Sequence, residues 1–276
     1  MSEAETPVPA SDLPTRFVMG VVMVAIACTS IYLGGWPFRL LVLAGAAVMM
    51  LEWGDMHRVT RLWSVLGAVL LAIILLGVSE WLFPAAEMDE AISAATFSPA
   101  WTGFAVILGC ALLLGLAARR ARMAWGFLYV AIPSFALVVI DWAWFGLVFW
   151  MMVVTWATDI FAYFAGRTIG GPKLAPRISP NKTWAGLFGG VVGAAVVGAL
   201  AAWYFDLGMP FLYIGAVMAV LAQAGDLYES GLKRRAGVKD SGTILPGHGG
   251  ALDRLDGLLP VIVATFLLLV TGQWTG

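Results

Sequence analysis

The sequence predicts an all-α, polytopic integral membrane protein, and three observations lead to this fold class. Of its 276 residues, 61% are hydrophobic and only 12% are charged. The apolar residues lie in repeated runs of about 20 residues, which as helices would cross a bilayer core of about 30 Å. Lysine and arginine residues fall between these runs in an order that places nearly all of them on one side of a membrane. We therefore expect about nine transmembrane helices.

The nine apolar runs divide into two groups. In the first five, polar residues such as Glu52 lie near the ends of the runs, which comprise residues 15–33, 38–51, 62–83, 99–117 and 123–140. In the last four, polar residues enter or closely abut the runs, which comprise residues 142–165, 184–205, 210–225 and 257–272. We therefore expect a disordered N-terminal tail over 1–14, a scaffold of five helices over 15–140, and a catalytic region over 141–276 with cytoplasmic loops 166–183 and 226–256.

Charge predicts the orientation of the chain. If the N-terminus is cytoplasmic, fifteen of the sixteen Lys and Arg residues are cytoplasmic and only Arg39 is external, as expected for short cytoplasmic loops. The external loops then contain acidic residues instead, namely Glu87, Asp89, Glu90, Asp141 and Asp206. We expect a cytoplasmic N-terminus and an external C-terminus. Cys28 and Cys110 lie within apolar runs and offer no disulfide framework.

The most polar part of the chain is the stretch Gly225–Gly257. Its 33 residues contain five of the seventeen acidic residues, five of the sixteen basic residues and one of the two histidines. Carboxylates, cations and glycines concentrated between apolar segments are what a site for a metal ion and a polyphosphate requires. The alternative is that these charges pair in surface salt bridges.

Two pairs of carboxylates flank this stretch. Asp226 and Glu229, at the end of the eighth run, are three residues apart and share one face of a helix. Asp253 and Asp256, at the start of the ninth run, have the same spacing. Oxygen ligands from two elements suit Mg²⁺, which takes one or two carboxylates and completes its shell with water and phosphates.

Cations and glycines lie between the two acidic pairs. Four basic residues could hold a triphosphate, and the turn Pro246–Gly250 would let backbone N–H groups approach a ligand. The basic residues are Lys233, Arg234, Arg235 and Lys239. His248 in this turn is expected mainly to donate a hydrogen bond to phosphate, with a turn-forming role and acid–base catalysis as alternatives.

Two features before this stretch complete the predicted site. Asp159 lies about six residues before the end of its span, so roughly 9 Å deep, where a carboxylate needs a partner or a wet cavity. It would bind or orient a ligand, or else make a structural hydrogen bond. The segment Ser179–Thr183 precedes the seventh span and could seat an anion, or could cap the helix and add positive charge to a cytoplasmic loop.

The seventh span also carries a stripe of small residues, on which another helix can pack closely within the subunit or between two subunits. The stripe comprises Gly186, Gly189, Gly190, Gly193, Ala194 and Gly198.

These motifs resemble the signature of the phosphatidate cytidylyltransferases, also called CDP-diacylglycerol synthases. The matching residues are Ser230, Lys233 and Arg234, then Lys239 to Gly242, Pro246 to Gly250, and the Asp253-Arg254-x-Asp256 motif. The segment from Asp159 to Gly186 is similar to a second block of that family. Two positions depart from the pattern: Ala185 replaces a Glu, and Arg235 replaces an acidic or neutral residue.

The resemblance implies that CTP reacts with phosphatidic acid to give CDP-diacylglycerol and pyrophosphate. It implies a homodimeric membrane enzyme in which Asp226 and Asp253 bind Mg²⁺, with K⁺ beside it. The other catalytic positions that match are Lys239, Asp240, His248 and Asp256. Substrate binding is expected at Asp159, Ser179, Asn181, Lys182, Thr183, Lys233, Arg234, Gly249, Gly250 and Arg254. We expect no nucleic-acid partner, and an active site at the cytoplasmic face of the inner membrane.

The chemistry of this reaction agrees with the residues. The lipid phosphate is already an anion, so the reaction needs no general base, but it needs cations that neutralise a polyphosphate. Two other functions remain open. A transporter would place its charges near the middle of the bilayer, and a CTP-dependent lipid kinase would transfer the γ-phosphoryl group instead.

Overall fold

The computed structural model describes residues 13–82, 97–244 and 249–272, and all structural statements below concern these residues. The predicted tail, the acidic loop with Glu87, Asp89 and Glu90, and His248 fall outside the described residues, except that Leu13 and Pro14 already belong to the first helix.

The first half of the described chain is helical. Its elements are α1 (Leu13–Leu33), α2 (Gly35–Met56), α3 (Arg61–Ala72), a π-helical stretch (Ile73–Val78), α4 (Ser79–Leu82), α5 (Ala100–Ala117) and α6 (Ala121–Ala143). In the second half, a short hairpin lies between long helices. The elements are α7 (Phe145–Thr168), β1 (Lys173–Ala175), β2 (Ser179–Thr183), α8 (Trp184–Tyr204), α9 (Met209–Tyr213), α10 (Gly215–Ala236), α11 (Leu252–Leu255) and α12 (Leu258–Val270).

The prediction of an all-α, polytopic membrane protein is confirmed in its coarse form. Helix covers most of each predicted span, but the eighth is divided between α9 and α10 at Ile214. Six described helical stretches are long and apolar enough to cross a membrane: Gly35–Met56, Arg61–Leu82, Ala100–Ala117, Ala121–Ala143, Phe145–Thr168 and Trp184–Tyr204. The apolar stretches Phe17–Leu33 and Leu258–Val270 are shorter. The count of nine spans and the orientation of the termini stay predictions.

The core is built around α6. This helix packs against α2, α5, α7 and α12, and its Phe127, Val130 and Phe135 are fully buried. Large apolar side chains that are shielded from both lipid and water fix the mutual positions of the surrounding helices. The bundle thereby supports the polar elements at one of its ends.

The glycine-rich stripe of α8 packs against α7 within the subunit. A Cβ atom added to Gly190 would lie 2.9 Å from the backbone oxygen of Thr158, and one added to Gly193 would lie 2.3 Å from the ring of Phe161. Only glycine permits so close an approach of two helices. The stripe therefore joins the two helices that border the site. Of the two arrangements that the sequence left open, packing within the subunit is the one found.

The two predicted loops are partly regular structure. Residues 166–183 include an antiparallel hairpin, in which Lys173 pairs with Thr183 and Ala175 pairs with Ser179. The stretch predicted as the loop 226–256 begins as helix, because α10 continues to Ala236 before a left-handed Gly237 ends it. Asp226 and Glu229 therefore lie within a helix and not at its end. The apolar run stops at Ala224, but the residues that follow also favour helix, so the helix continues.

Candidate active site

A cleft of ≈ 600 Å³ opens between α7, β2, α8 and α10. Charged and amide side chains lie beside apolar ones in its wall. It is lined by Asp159, Ala162, Tyr163, Gly166, Arg167, Asn181, Lys182, Thr183, Gly186, Leu187, Gln223 and Asp226. Five of the predicted site residues, on three separate elements, therefore share one cavity.

Lys182 connects the hairpin to α10 across this cleft. Its Nζ atom lies 2.5 Å from Oδ2 of Asp226 and donates a hydrogen bond to Oε1 of Gln223, at 3.0 Å. Both acceptors are on α10, one turn apart, so the lysine is held at two points. The charges of Asp226, Lys182 and Arg254 also act on Asp159, which brings α7 and α11 into the same electrostatic environment.

The segment Ser179–Thr183 forms a strand and a helix cap. The hydroxyl of Thr183 accepts a hydrogen bond from the N–H of Gly186, at 3.1 Å, so one N–H group at the start of α8 is already satisfied. Asn181 and Lys182 face the cleft, whereas Ser179 pairs with Ala175 and is not among the lining residues. The segment thus serves as a cap and also supplies polar side chains.

A second lysine–carboxylate cluster joins α10 to α11. Lys233 Nζ lies 2.6 Å from Oδ1 of Asp253 and 3.3 Å from Oε1 of Glu229. Glu229 is fully buried, and Lys233 is the cation that lies beside its carboxylate. Such a buried carboxylate depends on nearby cations for its stability.

Close packing of the backbone brings α10 against the start of α12 and the residues just before it. A Cβ atom added to Gly225 would lie 2.4 Å from the backbone oxygen of Asp256 and 2.7 Å from the ring of Pro260. The glycine beside Asp226 therefore lets the backbone at Asp256 lie directly against α10. As a result, carboxylates far apart in sequence repel one another across this contact, as Asp226 and Asp256 do.

Burial and mutual repulsion determine how these groups titrate. Burial raises the pKa of Glu229 and of Asp256, and the charge of a neighbouring carboxylate raises each further. Burial alone would also raise the pKa of Asp253, but the hydrogen bonds from Lys233 and from two backbone N–H groups lower it. Conversely, burial would lower the pKa of Lys233, whereas its acidic partners raise it. The pair of Lys233 and Asp253 is thus ionised inside the protein.

The two predicted phosphate-binding glycines lie beside Asp253. Gly250 N–H donates to Oδ2 of Asp253 at 2.9 Å, and Gly249 has a φ of +81°, which glycine adopts without strain. In this structure the N–H of Gly250 therefore helps to orient the carboxylate of Asp253.

Three predicted residues lie at the edge of the site. Lys239 and Asp240 are exposed and form no ion pair or hydrogen bond with other described residues. Arg234 is also exposed, and it donates to the backbone oxygens of Ile178 and Val238 at 3.4 and 3.0 Å. It therefore ties the hairpin to the end of α10.

One residue of the site escaped the sequence analysis. Glu52 on α2 is only 2% exposed, and its carboxylate accepts hydrogen bonds from the N–H groups of Ala251 and Leu252. The N-terminal half therefore reaches the acidic site directly, in addition to its predicted role as a scaffold. The available signal was an acidic residue at the end of an apolar run, which alone indicates only an interfacial position.

The donors fit Mg²⁺, although they do not form a complete cage. Among the described residues, no three Asp, Glu, His or Cys side chains are grouped so that they could hold a metal ion by themselves. Mg²⁺ bound with a nucleotide needs only one or two carboxylates. Asp226 and Asp253 each bind an ammonium group here, and the buried carboxylate of Glu229 lies beside the second of them. This environment favours added positive charge.

Comparison with known proteins places the chain in a family. The model of the cytidylyltransferase family matches residues 14–271. A phosphatidate cytidylyltransferase of Brucella abortus (strain 9-941) is 34% identical over 271 residues, which is 93% of each chain. A phosphatidate cytidylyltransferase of Bacillus subtilis (strain 168) is 33% identical over 276 residues, 94% of this chain and 98% of its own. The matched region contains both the apolar helices and the acidic site. This chain therefore belongs to the phosphatidate cytidylyltransferase family.

Proposed function

We propose that this protein transfers the cytidylyl group of CTP to phosphatidic acid, which gives CDP-diacylglycerol and pyrophosphate for phospholipid synthesis. The observation that carries the proposal is the convergence of Lys182 and Asp226 with Lys233 and Asp253 at one end of a helical membrane bundle. Cations and metal-binding carboxylates at such a position suit a reaction between two phosphates, one of which belongs to a lipid.

The reaction joins two anions, and the site supplies charge to overcome their repulsion. A phosphate oxygen of phosphatidic acid attacks the α-phosphorus of CTP, a P–O bond forms there, and the bond to the leaving pyrophosphate breaks. Lys182 is placed to hold substrate phosphate inside the cleft, while Lys233 keeps Asp253 ionised. Since the attacking oxygen is already anionic, no side chain has to remove a proton from it.

Asp226 and Asp253 are the residues that would hold Mg²⁺. The bound ion would neutralise the polyphosphate and polarise the α-phosphoryl group. Asp256 and Glu229 lie close to these two carboxylates, and a bound cation would lower their raised pKa values and so favour their ionised forms. A K⁺ ion beside the Mg²⁺ ion stays a prediction.

The cleft suits an amphipathic substrate. Its polar wall carries Asp226, Asn181 and Lys182, whereas Leu187 and Tyr163 line it on the side of α7 and α8. Phe164 and Phe188 on these two helices are exposed on the outer surface of the bundle, as expected for side chains that face lipid. The headgroup of phosphatidic acid could thus reach the charged residues while its acyl chains remain in the bilayer.

We place the site at the cytoplasmic face of the inner membrane, where CTP is available. Arginine-containing loops at the same end of the bundle support this orientation. Arg120 donates to the backbone oxygen of Arg58, and Trp53, next to Glu52, donates to that of Arg122. At other helix ends, Arg39, the one basic residue expected outside, pairs with Glu80. A homodimer, as the family resemblance implies, stays a prediction.

Transfer of a labelled nucleotide tests the proposal. Detergent-purified protein is incubated with phosphatidic acid, Mg²⁺ and CTP labelled at the α-phosphorus, with a parallel reaction that lacks the lipid. Label in a lipid product that depends on phosphatidic acid is the expected result. In a further reaction that contains a polyprenol as acceptor, label that appears wholly in CDP would indicate the CTP-dependent lipid kinase. The names of the relatives favour the cytidylyltransferase over this kinase and over a transporter.

A further inference from the structure

Glu52 lies in the half of the chain that the sequence predicts as a scaffold, yet its side chain is surrounded by residues of the acidic site. Its Oε1 atom accepts the N–H of Ala251 at 2.9 Å, and its Oε2 atom accepts the N–H of Leu252 at 3.0 Å. The hydroxyl of Ser241 donates to Oε2 at 3.3 Å. Donors on both oxygens are the pattern of an ionised carboxylate, which can only accept.

These contacts fix the start of the element that carries Asp253. Leu252 is the first residue of α11, and Ala251 immediately precedes it. The first N–H groups of a helix have no partner inside the helix, so Glu52 supplies the acceptors from nearly 200 positions earlier in the chain. These hydrogen bonds direct the carboxylate of Glu52 at this backbone.

Asp253 binds the opposite side of the same backbone. Its Oδ2 atom accepts the N–H of Ser241 at 2.9 Å and the N–H of Gly250 at 2.9 Å. Ser241 thus donates its hydroxyl to one carboxylate and its N–H to the other. The backbone at 241 and at 250–252 is held between Glu52 and Asp253, so a movement of either carboxylate is transmitted to the other.

Glycines make this arrangement tight. A Cβ atom added to Gly242 would lie 2.6 Å from Oε1 of Glu52, and one added to Gly250 would lie 2.8 Å from the same atom. Both distances are far shorter than a real Cβ contact. The backbone therefore follows the position of the Glu52 carboxylate closely.

The position of Glu52 is itself rigid. The next residue, Trp53, is 1% exposed, and its indole nitrogen donates to the backbone oxygen of Arg122 at 3.0 Å. The indole fits against Gly126 of α6, where a Cβ atom would lie 2.1 Å from the ring nitrogen. The anchor for the acidic site is thus built into the buried contact between α2 and α6.

We propose that Glu52 is a positioning residue, which sets the orientation of Asp253 through the backbone at 241 and 250–252 and thereby the affinity of the site for its divalent cation. This inference rests on the proposed function in that Asp253 is taken as a metal-binding carboxylate. It adds that the N-terminal half helps to determine how tightly the catalytic half binds the cation.

The test compares full-length wild-type protein with Glu52→Gln, Glu52→Asp and the control Asp55→Asn in detergent. Asp55 lies three residues further along α2, where it is exposed and pairs with Arg61, so its replacement removes the same charge without touching the site. Three quantities are measured without CTP or lipid: Mn²⁺ binding by electron paramagnetic resonance, hydrogen exchange at the amides of Ser241, Ala251 and Leu252, and the unfolding temperature. The Mg²⁺ concentration for half-maximal turnover is measured separately.

Glu52→Gln places an amide group among N–H donors, so it should weaken Mn²⁺ binding by about 10- to 100-fold, as loss of a group that orients a metal ligand typically does. Exchange at the three amides should become faster, and the Mg²⁺ requirement for turnover should rise by a similar factor. Glu52→Asp, which keeps the charge on a shorter side chain, should restore part of the affinity. Asp55→Asn should match the wild type in all four measurements.

Unchanged Mn²⁺ binding in folded Glu52→Gln would overturn the proposal, even if the unfolding temperature fell, because Glu52 would then only stabilise the fold. If Glu52→Gln does not fold, Glu52→Asp is judged by the same criterion. A wild-type protein that binds no Mn²⁺ would also overturn it. A wild-type protein that binds Mn²⁺ but makes no CDP-diacylglycerol would refute the proposed function and leave the role of Glu52 standing.

Discussion

Lys182 Nζ lies 2.5 Å from Oδ2 of Asp226, so a lysine expected to bind substrate phosphate is paired with a carboxylate expected to bind a metal ion. The same relationship recurs between Lys233 and Asp253. In both pairs the ammonium group of the lysine lies beside the carboxylate to which a metal ion would bind. When the metal ion binds to the carboxylate, the lysine ammonium group would become available to the phosphates of the substrate. Binding of the metal ion and binding of the substrate would therefore be linked.

Replacement of Lys182 by Ala should raise the KM for CTP or for phosphatidic acid on the order of tenfold, because a hydrogen bond from a charged donor contributes about 1.5–3 kcal/mol. Steady-state kinetics with each substrate varied in turn measures the change. Lys173→Ala is the matched control, since Lys173 is an exposed cation on the other strand of the same hairpin. If Lys182→Ala left both KM values unchanged, Lys182 would only add positive charge to a cytoplasmic loop and would not bind substrate.

Asp226→Asn and Asp253→Asn should each abolish turnover and leave expression and dimerisation intact, because a neutral amide is a poor partner for Mg²⁺. The two variants should differ in stability. The side chains of Lys182 and Asp226 are 18% and 31% exposed, and such partly exposed pairs contribute about 0–1 kcal/mol. Those of Lys233 and Asp253 are each 10% exposed, where breaking a pair costs roughly 3–5 kcal/mol.

Thermal unfolding in detergent should therefore show a lower unfolding temperature for Asp253→Asn than for Asp226→Asn. In Asp253→Asn, Glu229 remains beside Lys233. The loss of stability should therefore lie towards the lower end of the range of roughly 3–5 kcal/mol. Substantial residual turnover in either variant would remove its aspartate from the metal site.

Chelation of divalent cations should stop turnover without unfolding the protein. Lys182 partly neutralises Asp226, and Lys233 partly neutralises Asp253. Each of these carboxylates therefore keeps a nearby cation when the metal ion is removed. Activity should return on addition of excess Mg²⁺, and the unfolding temperature should change little throughout. Full activity in the presence of the chelator would contradict a role for a divalent cation.

The helical frame was predictable because its signals are local. Apolar runs long enough for a bilayer, and the small-residue stripe of α8, are properties of neighbouring positions in the sequence. Helix ends were harder, as α10 shows: hydrophobicity stops at Ala224, but residues such as Leu232 and Arg235 favour the helix equally. The hairpin at Ser179–Thr183 was missed because prolines and glycines at 170–180 are also typical of an irregular loop.

The carboxylate Asp226 could be recognised from spacing, whereas Glu52 could not. Asp226 shares a helical face with Glu229, and both lie close in sequence to many other charges. Glu52 acts on Ala251 and Leu252, nearly 200 residues away, and no local pattern connects these positions. Such a contact results from the packing of α2 on α6, which depends on the complete fold.

Gly225→Ala tests whether the contact between α10 and residues 256–260, at the start of α12, sets the geometry of the site. The new methyl group would lie 2.4 Å from the backbone oxygen of Asp256 and 2.7 Å from Pro260, so the two elements must move apart. Overpacking of this kind costs about 1–3 kcal/mol, and Asp226 would no longer face Asp256 at its present distance. We expect kcat to fall on the order of tenfold or more, since small displacements of positioning groups reduce rates strongly.

Gly231→Ala provides the control on the same helix. A Cβ atom at Gly231 meets nothing within 4 Å, and alanine in a helix interior is more stable than glycine by about 0.5–1 kcal/mol. This variant should therefore unfold at a slightly higher temperature and keep its activity. If Gly225→Ala behaved like Gly231→Ala in both measurements, the close approach of α10 to residues 256–260 would not determine the position of Asp226 relative to Asp256.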